Sequence, residues 1–366
     1  MAINLATNYS SIIDEAFKLG ALSNPGVNDN YSFVDANVVK VYNLSTSAMN
    51  DYVRSGDNRF GIPSELQDTV QTLTLSQAKS FTFTIDKLNA IDSPAGIRDA
   101  GAALARQIKQ VAIPMVDAYR FAKMASGAGT ADYTAITSSN AYSKFLDAQA
   151  ILNDKEVPTE GRIAFCSSAF YNLLKLDANF IKASDLAMKD IAIKGVVGMV
   201  DGVYIIPVPA PRLSAGVSFI ISHPVACPAP VKLEEYRVLD NQRGIAGFVV
   251  EGLIYHDCFI LDHKKDAIYT EFGKLEALTA TSTAGAATKS VLAVTAGKID
   301  GATLYWKGHA TAVTPPALGG DLSGWTEVPA DGIITPTSTF TKVVVAAGIN
   351  SKAVGTSAEI TLNIGS

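Results

Sequence analysis

Residues 71–86 read QTLTLSQAKSFTFTID, and two kinds of side chain alternate along them. The large apolar residues all fall on odd positions: Leu73, Leu75, Phe81, Phe83 and Ile85. Threonine recurs on the even positions between them. Because successive side chains of a β-strand point to opposite faces of its sheet, this alternation predicts a half-buried strand across the whole stretch.

A second strand is predicted upstream, over residues 36–44, after an N-terminal arm that covers residues 1–35. The two strands and the polar segment between them predict a long hairpin, with a charged tip, over residues 45–90. An isolated hairpin is marginally stable in water, so one of this length needs a surface to lie on, and another subunit can supply it. We expect four tip residues to set the register between subunits, although an ordinary solvated turn also explains them: Asp51, Arg54, Asp57 and Arg59.

A long helix is predicted next, from an N-cap at Ser93-Pro94 to a glycine-rich stop at residues 126–130. Its apolar residues recur every three or four positions and so form one buried stripe: Ile97, Ala100, Leu104, Ile108, Val111, Met115, Ala118 and Ala122. Pro114 has no backbone N–H to donate within the helix, so we expect a kink in this long helix there.

Shorter elements follow the long helix. Helices are predicted over residues 139–154 and 169–176, and strands over 162–166, 203–207, 217–222, 233–239 and 245–261. The last of these is too long for one ordinary strand, so we expect it to bend near Gly252.

The composition changes near Leu275. Residues 276–366 hold only 11 charged residues but 15 threonines. Strands are predicted over 289–295, 302–306, 339–346 and 359–364. Short strands separated by Gly/Pro turns are typical of an all-β, immunoglobulin-like sandwich, and we expect Trp306 or Trp325 in its core.

The overall composition narrows the possible functions. The net charge of −5 argues against broad neutralisation of nucleic-acid phosphates, although a container can enclose nucleic acid without gripping it. Three widely spaced cysteines imply no disulfide framework and favour folding in a reducing cytoplasm. Neither an export signal nor a membrane-spanning apolar run is visible.

No combination of residues predicts catalysis, metal binding or a cofactor. His256-Asp257-Cys258 suggests a site at first sight, but only His256 and Cys258 can share a strand face, and no second Cys/His pair has ligand spacing. A phosphate-binding loop with the required Gly, Lys and Ser/Thr spacing is also missing. We therefore expect a protein that is not an enzyme.

The order of elements resembles the Hong Kong 97-type fold of tailed-bacteriophage major capsid proteins, an α+β fold. Three stretches are similar in sequence to that family's axial-domain strands: PTEGRIAF (158–165), GVVGMVDGVYII (195–206) and GFVVEGL (247–253). The resemblance covers about residues 1–273. In the family's terms, the chain divides into an N-terminal arm and first strand (1–44), an E-loop hairpin (45–90), a spine helix with the peripheral domain (91–160), an axial domain (161–275) and the appended sandwich (276–366).

The resemblance implies a shell subunit that assembles with itself into hexamers and pentamers around double-stranded DNA. It further implies a portal, a separate scaffolding protein, no membrane partner, and a location in the virion after assembly in the host cytoplasm. Two alternatives remain at this point: an encapsulin-like compartment shell, and a surface or adhesion protein that uses the threonine-rich sandwich.

Overall fold

The computed structural model of the protein describes residues 21–28, 30–31, 38–63, 65–88, 100–177, 198–240 and 242–365. The arm up to residue 20 and the predicted helix start at Ser93-Pro94 lie outside these ranges. The helices are α1 (Ala100–Gln107), α2 (Ile113–Gly127), α3 (Ala141–Asp154) and α4 (Ser168–Leu176). The strands before residue 275 are β1 (Val38–Leu44), β2 (Asp68–Thr74), β3 (Gln77–Asp86), β4 (Thr130–Asp132), β5 (Ile163–Ser167), β6 (Gly198–Val200), β7 (Val203–Val208), β8 (Val217–Ser222), β9 (Val231–Asp240), β10 (Gly247–His256) and β11 (Ile268–Phe272).

The hairpin consists of β1 and β2, which pair antiparallel from Val38↔Thr74 to Leu44↔Asp68. The predicted alternation is confirmed, because Leu73, Leu75 and Ile85 are buried while the threonines between the apolar residues are exposed. The prediction of one unbroken strand over 71–86 is wrong. At Ser76 the backbone N–H bonds to the Asp257 carboxylate instead of to a neighbouring strand, and β3 then joins a different sheet, in the order β3-β10-β9.

The long helix changes its winding in the middle. Residues 108–112 form a π-helical turn between α1 and α2, in which the Ile113 N–H bonds to the Ile108 carbonyl. This turn holds one extra residue, so the buried face shifts by one position beyond it. The predicted stripe is confirmed at Ala100, Leu104, Ile108 and Ala122, which are buried, but wrong at Val111, which is exposed. Met115 and Ala118 are half-buried, and the buried residues just after the turn include Ala112, Ile113, Val116 and Arg120.

A six-stranded sheet, in the order β4-β11-β8-β5-β7-β6, forms the centre of the body. Its largest core side chains are aromatic and come from the sheet and from α2, α3 and α4: Phe121, Phe145, Phe165, Phe170, Phe219, Tyr269 and Phe272. The helices predicted over 139–154 and 169–176 are confirmed within two residues at each end. No helix in the described ranges is both long and apolar enough to cross a membrane.

A carboxylic acid is buried in this sheet. Glu271 is fully buried on β11, where it lies opposite Asp132 of the parallel neighbour β4. Its Oε2 accepts from the Tyr269 hydroxyl at 2.8 Å and its Oε1 from the Thr134 N–H at 3.1 Å. Burial and the nearby Asp132 charge raise the pKa of Glu271 to about 7, because an apolar environment disfavours the charged form.

The strand predicted over 245–261 is shorter than expected and ends at His256. Beyond it, the N–H groups of Asp257 and Phe259 still bond to the carbonyls of Pro230 and Pro228. The two prolines have no N–H group with which to donate a bond in return, so the strand pairing ends. Pairing is unbroken across Gly252, which lies opposite Phe81 on one side and Tyr236 on the other. A Cβ on this glycine would meet ring carbons of Phe81 at 2.4 Å, so glycine makes room there for the two aromatic rings.

The C-terminal region is all β. Its strands are β12 (Glu276–Ala284), β13 (Ser290–Ala296), β14 (Thr303–His309), β15 (Thr326–Glu327), β16 (Ile333–Ile334), β17 (Lys342–Ile349), β18 (Lys352–Ser357) and β19 (Ile360–Thr361). They pair in the order β15-β14-β17-β18-β12-β13-β16, with β19 on β17. Trp306 lies in their apolar core, as expected. Ile299, Ile349 and Val354 also pack into the core cluster of the body, so this region shares buried surface with it.

Candidate assembly surface

The loop between β1 and β2 carries large apolar side chains in solvent. We call its described part, residues 45–63 and 65–67, the tip loop. Met49 is 97% exposed, Phe60 84% and Ile62 83%, and the neighbouring Leu44 and Leu66 are also exposed. Scattered apolar residues are normal on a protein surface, but a contiguous group of large ones marks a place where another molecule binds.

The tip loop is closed by contacts of its own. The Val53 N–H bonds to the Arg59 carbonyl at 3.1 Å, and the Gly61 N–H bonds to the Asn58 carbonyl at 2.8 Å. The rings of Tyr52 and Phe60 meet edge to face, with centroids 5.1 Å apart. These contacts join both sides of the loop close to Phe60.

The four charged residues expected to set register all lie in this loop. Asp51, Arg54, Asp57 and Arg59 are exposed, and the Arg59 Nε donates to the Gly56 carbonyl at 3.2 Å. In the part of the chain that the structure describes, none of the four makes an ion pair. They are available to a partner, and their role in subunit contact remains a prediction.

Asp257 joins the end of the hairpin to the body. Its carboxylate is 2% exposed and accepts from the Ser76 N–H at 2.7 Å, the Ser76 hydroxyl at 2.8 Å and the Tyr119 hydroxyl at 2.6 Å. It also accepts from the Cys258 N–H at 2.8 Å. One side chain thus connects the link between β2 and β3, the long helix and the chain beyond β10.

A second connection between the hairpin and the body is made from within β2, by Gln71. The Gln71 side chain donates to the Ile260 carbonyl at 2.9 Å and accepts from the Asp262 N–H at 3.1 Å. Leu261 packs between these bonds with Val41, Leu73 and Leu75. We call residues 257–262 the root segment, because the hairpin is fastened to the body through it.

The chain near the N-terminal arm is fastened to the same helix. Asp117 is fully buried and accepts from the Leu22 N–H at 3.0 Å, the Ser23 hydroxyl at 2.7 Å and the Arg212 guanidinium at 2.9 Å. Arg120 donates to the Asn24 side chain at 2.8 Å. Arg120 is not part of the apolar stripe predicted from the sequence, and the extra residue of the π turn brings its side chain to the buried face.

The His256-Asp257-Cys258 sequence serves structure in this protein. Burial and the Arg120 charge lower the pKa of His256 to about 4, so its ring is neutral at physiological pH. Asp257 is fully used as an acceptor, as described above. Among the described residues there is no group of three or more His, Cys, Asp or Glu side chains that could hold a metal ion.

Pro114 is the second residue of α2 and lies two positions beyond Ala112, the last residue of the π turn. Without an N–H it leaves the carbonyl of residue 110 without its usual helical donor, and a π turn is one way for a helix to absorb such a break. The kink at Pro114 itself remains a prediction.

No protein-family model matches the sequence, and no curated protein matches it either. Solved structures match in three dimensions. A chain of Mycobacterium phage Che8 has a TM-score of 0.57 and 16% identity, over 69% of this chain and 90% of its own. The capsid of cyanophage P-SCSP1u gives 0.52 and 11%, over 68% and 86%, and the mature capsid of bacteriophage PhiM1 gives 0.50 and 11%, over 68% and 85%. At these identities the shared property is the fold, and this chain therefore has the capsid-protein fold of tailed bacteriophages.

Proposed function

We propose that the protein is a major capsid protein, a structural subunit without catalytic activity that assembles with itself into an icosahedral shell around double-stranded DNA. The observation that carries the proposal is the tip loop, whose large apolar side chains are exposed although hydrogen bonds of its own close the loop and its base is fastened to the body. A surface of this kind is completed by another molecule, and the capsid fold makes that molecule a second copy of the chain.

The energetics favour such a contact. Burying a large apolar side chain contributes about 1.5–3 kcal/mol, and five such residues lie in or beside the tip loop: Leu44, Met49, Phe60, Ile62 and Leu66. The two backbone hydrogen bonds that close the loop reduce the backbone entropy that is lost on docking, while each exposed side chain still loses rotamer freedom when it is buried. Contacts in which two different surfaces meet can close rings of subunits.

Within this proposal the finer architecture is of the Hong Kong 97 type, with the arm, E-loop, spine helix, peripheral and axial divisions given above. Residues 276–366 form an appended, immunoglobulin-like sandwich on the outside of the shell. They make up 91 of the 366 residues. The capsid structures match only 68–69% of this chain, which leaves room for a region that those shells lack.

The proposed partners follow from the same role. The subunit forms hexamers and pentamers, and works with a portal and a separate scaffolding protein but no membrane. Its net charge of −5 fits a shell that encloses DNA without sequence-specific binding. It is assembled in the host cytoplasm and resides in the virion.

Negative-stain microscopy of the purified protein tests the proposal. We expect rings or closed particles from the natural sequence and a loss of particles from Phe60→Asp, because a carboxylate cannot be buried in an apolar contact without a partner. Ser55→Asp is the matched control, since it places the same charge in the same exposed loop and leaves the apolar side chains in place. It should still assemble.

Circular dichroism must show that both variants remain folded. Phe60 is so exposed that its loss should not unfold the subunit. If the natural protein stays monomeric at high concentration, with or without scaffolding protein, the proposal is wrong. DNA inside particles isolated from infected cells supports a viral shell, whereas an enclosed enzyme supports the encapsulin-like alternative.

A further inference from the structure

Two buried thiols meet beneath the root of the hairpin. Cys227 follows a short turn over Pro224–Ala226, and Cys258 lies in the root segment. Their sulfur atoms are 3.2 Å apart, and both side chains are at most 1% exposed. The third cysteine, Cys166, is also buried but lies within β5 and has no thiol contact among the described residues.

Backbone hydrogen bonds hold the two segments that carry the cysteines side by side. The N–H groups of Asp257, Phe259 and Leu261 bond to the carbonyls of Pro230, Pro228 and Ala226 at 3.2, 2.9 and 3.1 Å. On the other edge of the segment that carries Cys227, the Asn28 N–H bonds to the Cys227 carbonyl at 3.0 Å, and the Ala229 N–H bonds to the Asn28 carbonyl at 2.9 Å. The segment that carries Cys227 is therefore fixed on both sides.

We propose that Cys227 and Cys258 form an intrachain disulfide when the folded protein meets a disulfide oxidant such as glutathione disulfide. A disulfide has an S–S length of about 2.05 Å, so the two sulfurs, now 3.2 Å apart, need to approach by roughly 1.1 Å. One protein thiolate attacks the oxidant and displaces one glutathione thiolate, forming a mixed disulfide. The second protein thiolate displaces the other. The two cysteines lose two electrons and two protons, and the oxidant becomes two glutathione thiols.

The reaction is slow in the closed structure. The hydrogen bond to Cys258 and burial both raise the pKa of the Cys227 thiol, and the thiolate is the reactive form. The oxidant also reaches the sulfurs only when the root segment opens. Oxidation should therefore proceed faster at alkaline pH and under conditions that loosen the native state slightly.

The bond would fasten the hairpin more firmly. It closes a loop across 31 positions of the chain and ties down the root segment, through which Asp257 holds Ser76. Disulfides of this loop size stabilise chiefly by restricting the unfolded chain. For the shell, and so resting on the proposed function, the disulfide would keep the root segment in the position where Asp257 binds Ser76.

The test is mass spectrometry of the native protein after incubation with glutathione disulfide at pH 8, followed by denaturation in an alkylating reagent and proteolysis. We expect a linked pair of peptides that carry Cys227 and Cys258. Its mass should be about 2 Da below the sum of the two reduced, unalkylated peptides, because two hydrogen atoms are lost. Cys166 should be alkylated. The melting temperature should rise by roughly 3–5 °C, and dithiothreitol should reverse the change. Cys166→Ala should behave as the natural sequence does, and Cys258→Ala should show no shift.

The proposal is overturned if all three cysteines remain alkylated, if only glutathione adducts accumulate, or if Cys166 is linked as often as the other two. The measurement on the natural sequence decides this even if Cys258→Ala does not fold. Because it uses unassembled protein, it is independent of whether particles form. Failure to assemble under reducing conditions counts against the proposed function and not against the disulfide.

Discussion

Glu271 makes the stability of the folded protein depend on pH, and Glu271→Gln should remove that dependence. The folded-state pKa of about 7 is higher than the ordinary 4.5, so the folded protein holds this proton more tightly than the unfolded chain does. The stabilisation is fully present below pH 4.5 and is lost as the pH rises through 7. A shift of this size corresponds to about 3 kcal/mol, of which about 2 kcal/mol falls between pH 5.5 and 8.5.

The assay is guanidinium denaturation of unassembled protein at pH 5.5, 6.5, 7.5 and 8.5, followed by circular dichroism. The free energy of unfolding of Glu271→Gln minus that of the natural protein should increase by about 2 kcal/mol over this range. His256, whose pKa is lowered to about 4, titrates in the opposite sense, because its stabilisation is lost as the pH falls. Its contribution is the same in both proteins and cancels in the difference. A difference that stays constant from pH 5.5 to 8.5 would refute the argument.

Three further predictions concern the root segment, the three-stranded sheet and the long helix. Asp257→Asn should destabilise the protein by about 2–3 kcal/mol, because an amide N–H₂ group, which cannot accept a hydrogen bond, replaces one of the two carboxylate oxygens. Hydrogen exchange of the Ser76 backbone N–H should then quicken more than exchange in the six-stranded sheet. Gly252→Ala should cost about 1–3 kcal/mol in thermal unfolding, because its Cβ meets Phe81, whereas Gly324→Ala, which meets nothing within 4 Å, should be near neutral. Asp117→Asn should speed proteolysis near residues 22–31, and equal cleavage rates in variant and natural protein would contradict the role of Asp117 as an anchor.

Much of the fold could be predicted because it depends on local pattern. The alternation over 71–86 identified which side chains are buried, and the three-and-four spacing located the long helix. The break at Ser76 could not be predicted in this way, because it depends on a carboxylate 181 positions away in the chain. β11 was also missed, since all five of its residues are buried and a short strand buried on both faces shows no alternation.

In the candidate assembly surface, too, the features that depend on local sequence could be predicted and those that depend on distant residues could not. The tip loop was predicted because a polar segment between two strands marks a hairpin end. Its apolar exposure was not predicted, because sequence alone does not distinguish an apolar residue that is buried from one left in solvent. Asp117, Arg120 and Asp257 were missed because a buried charged residue is recognisable only once its partners are in place, and the one-residue shift at the π turn moved Arg120 to the inner face.

The long helix packs against two cores, and the change from one core to the other falls within α2, between Val116 and Phe121. Before the π turn and just after it, Leu104, Ile108 and Val116 pack against the three-stranded sheet, while Phe121 and Met124 pack into the core of the six-stranded sheet. A tilt of the smaller sheet must therefore either carry the larger one with it or bend the rod that joins them. Ile113 and Val116 lie beyond the π turn but still pack with the smaller sheet, so a bend that separates the two cores has to fall between Val116 and Phe121. That part of α2 is regular helix, so the two sheets should move together as one unit.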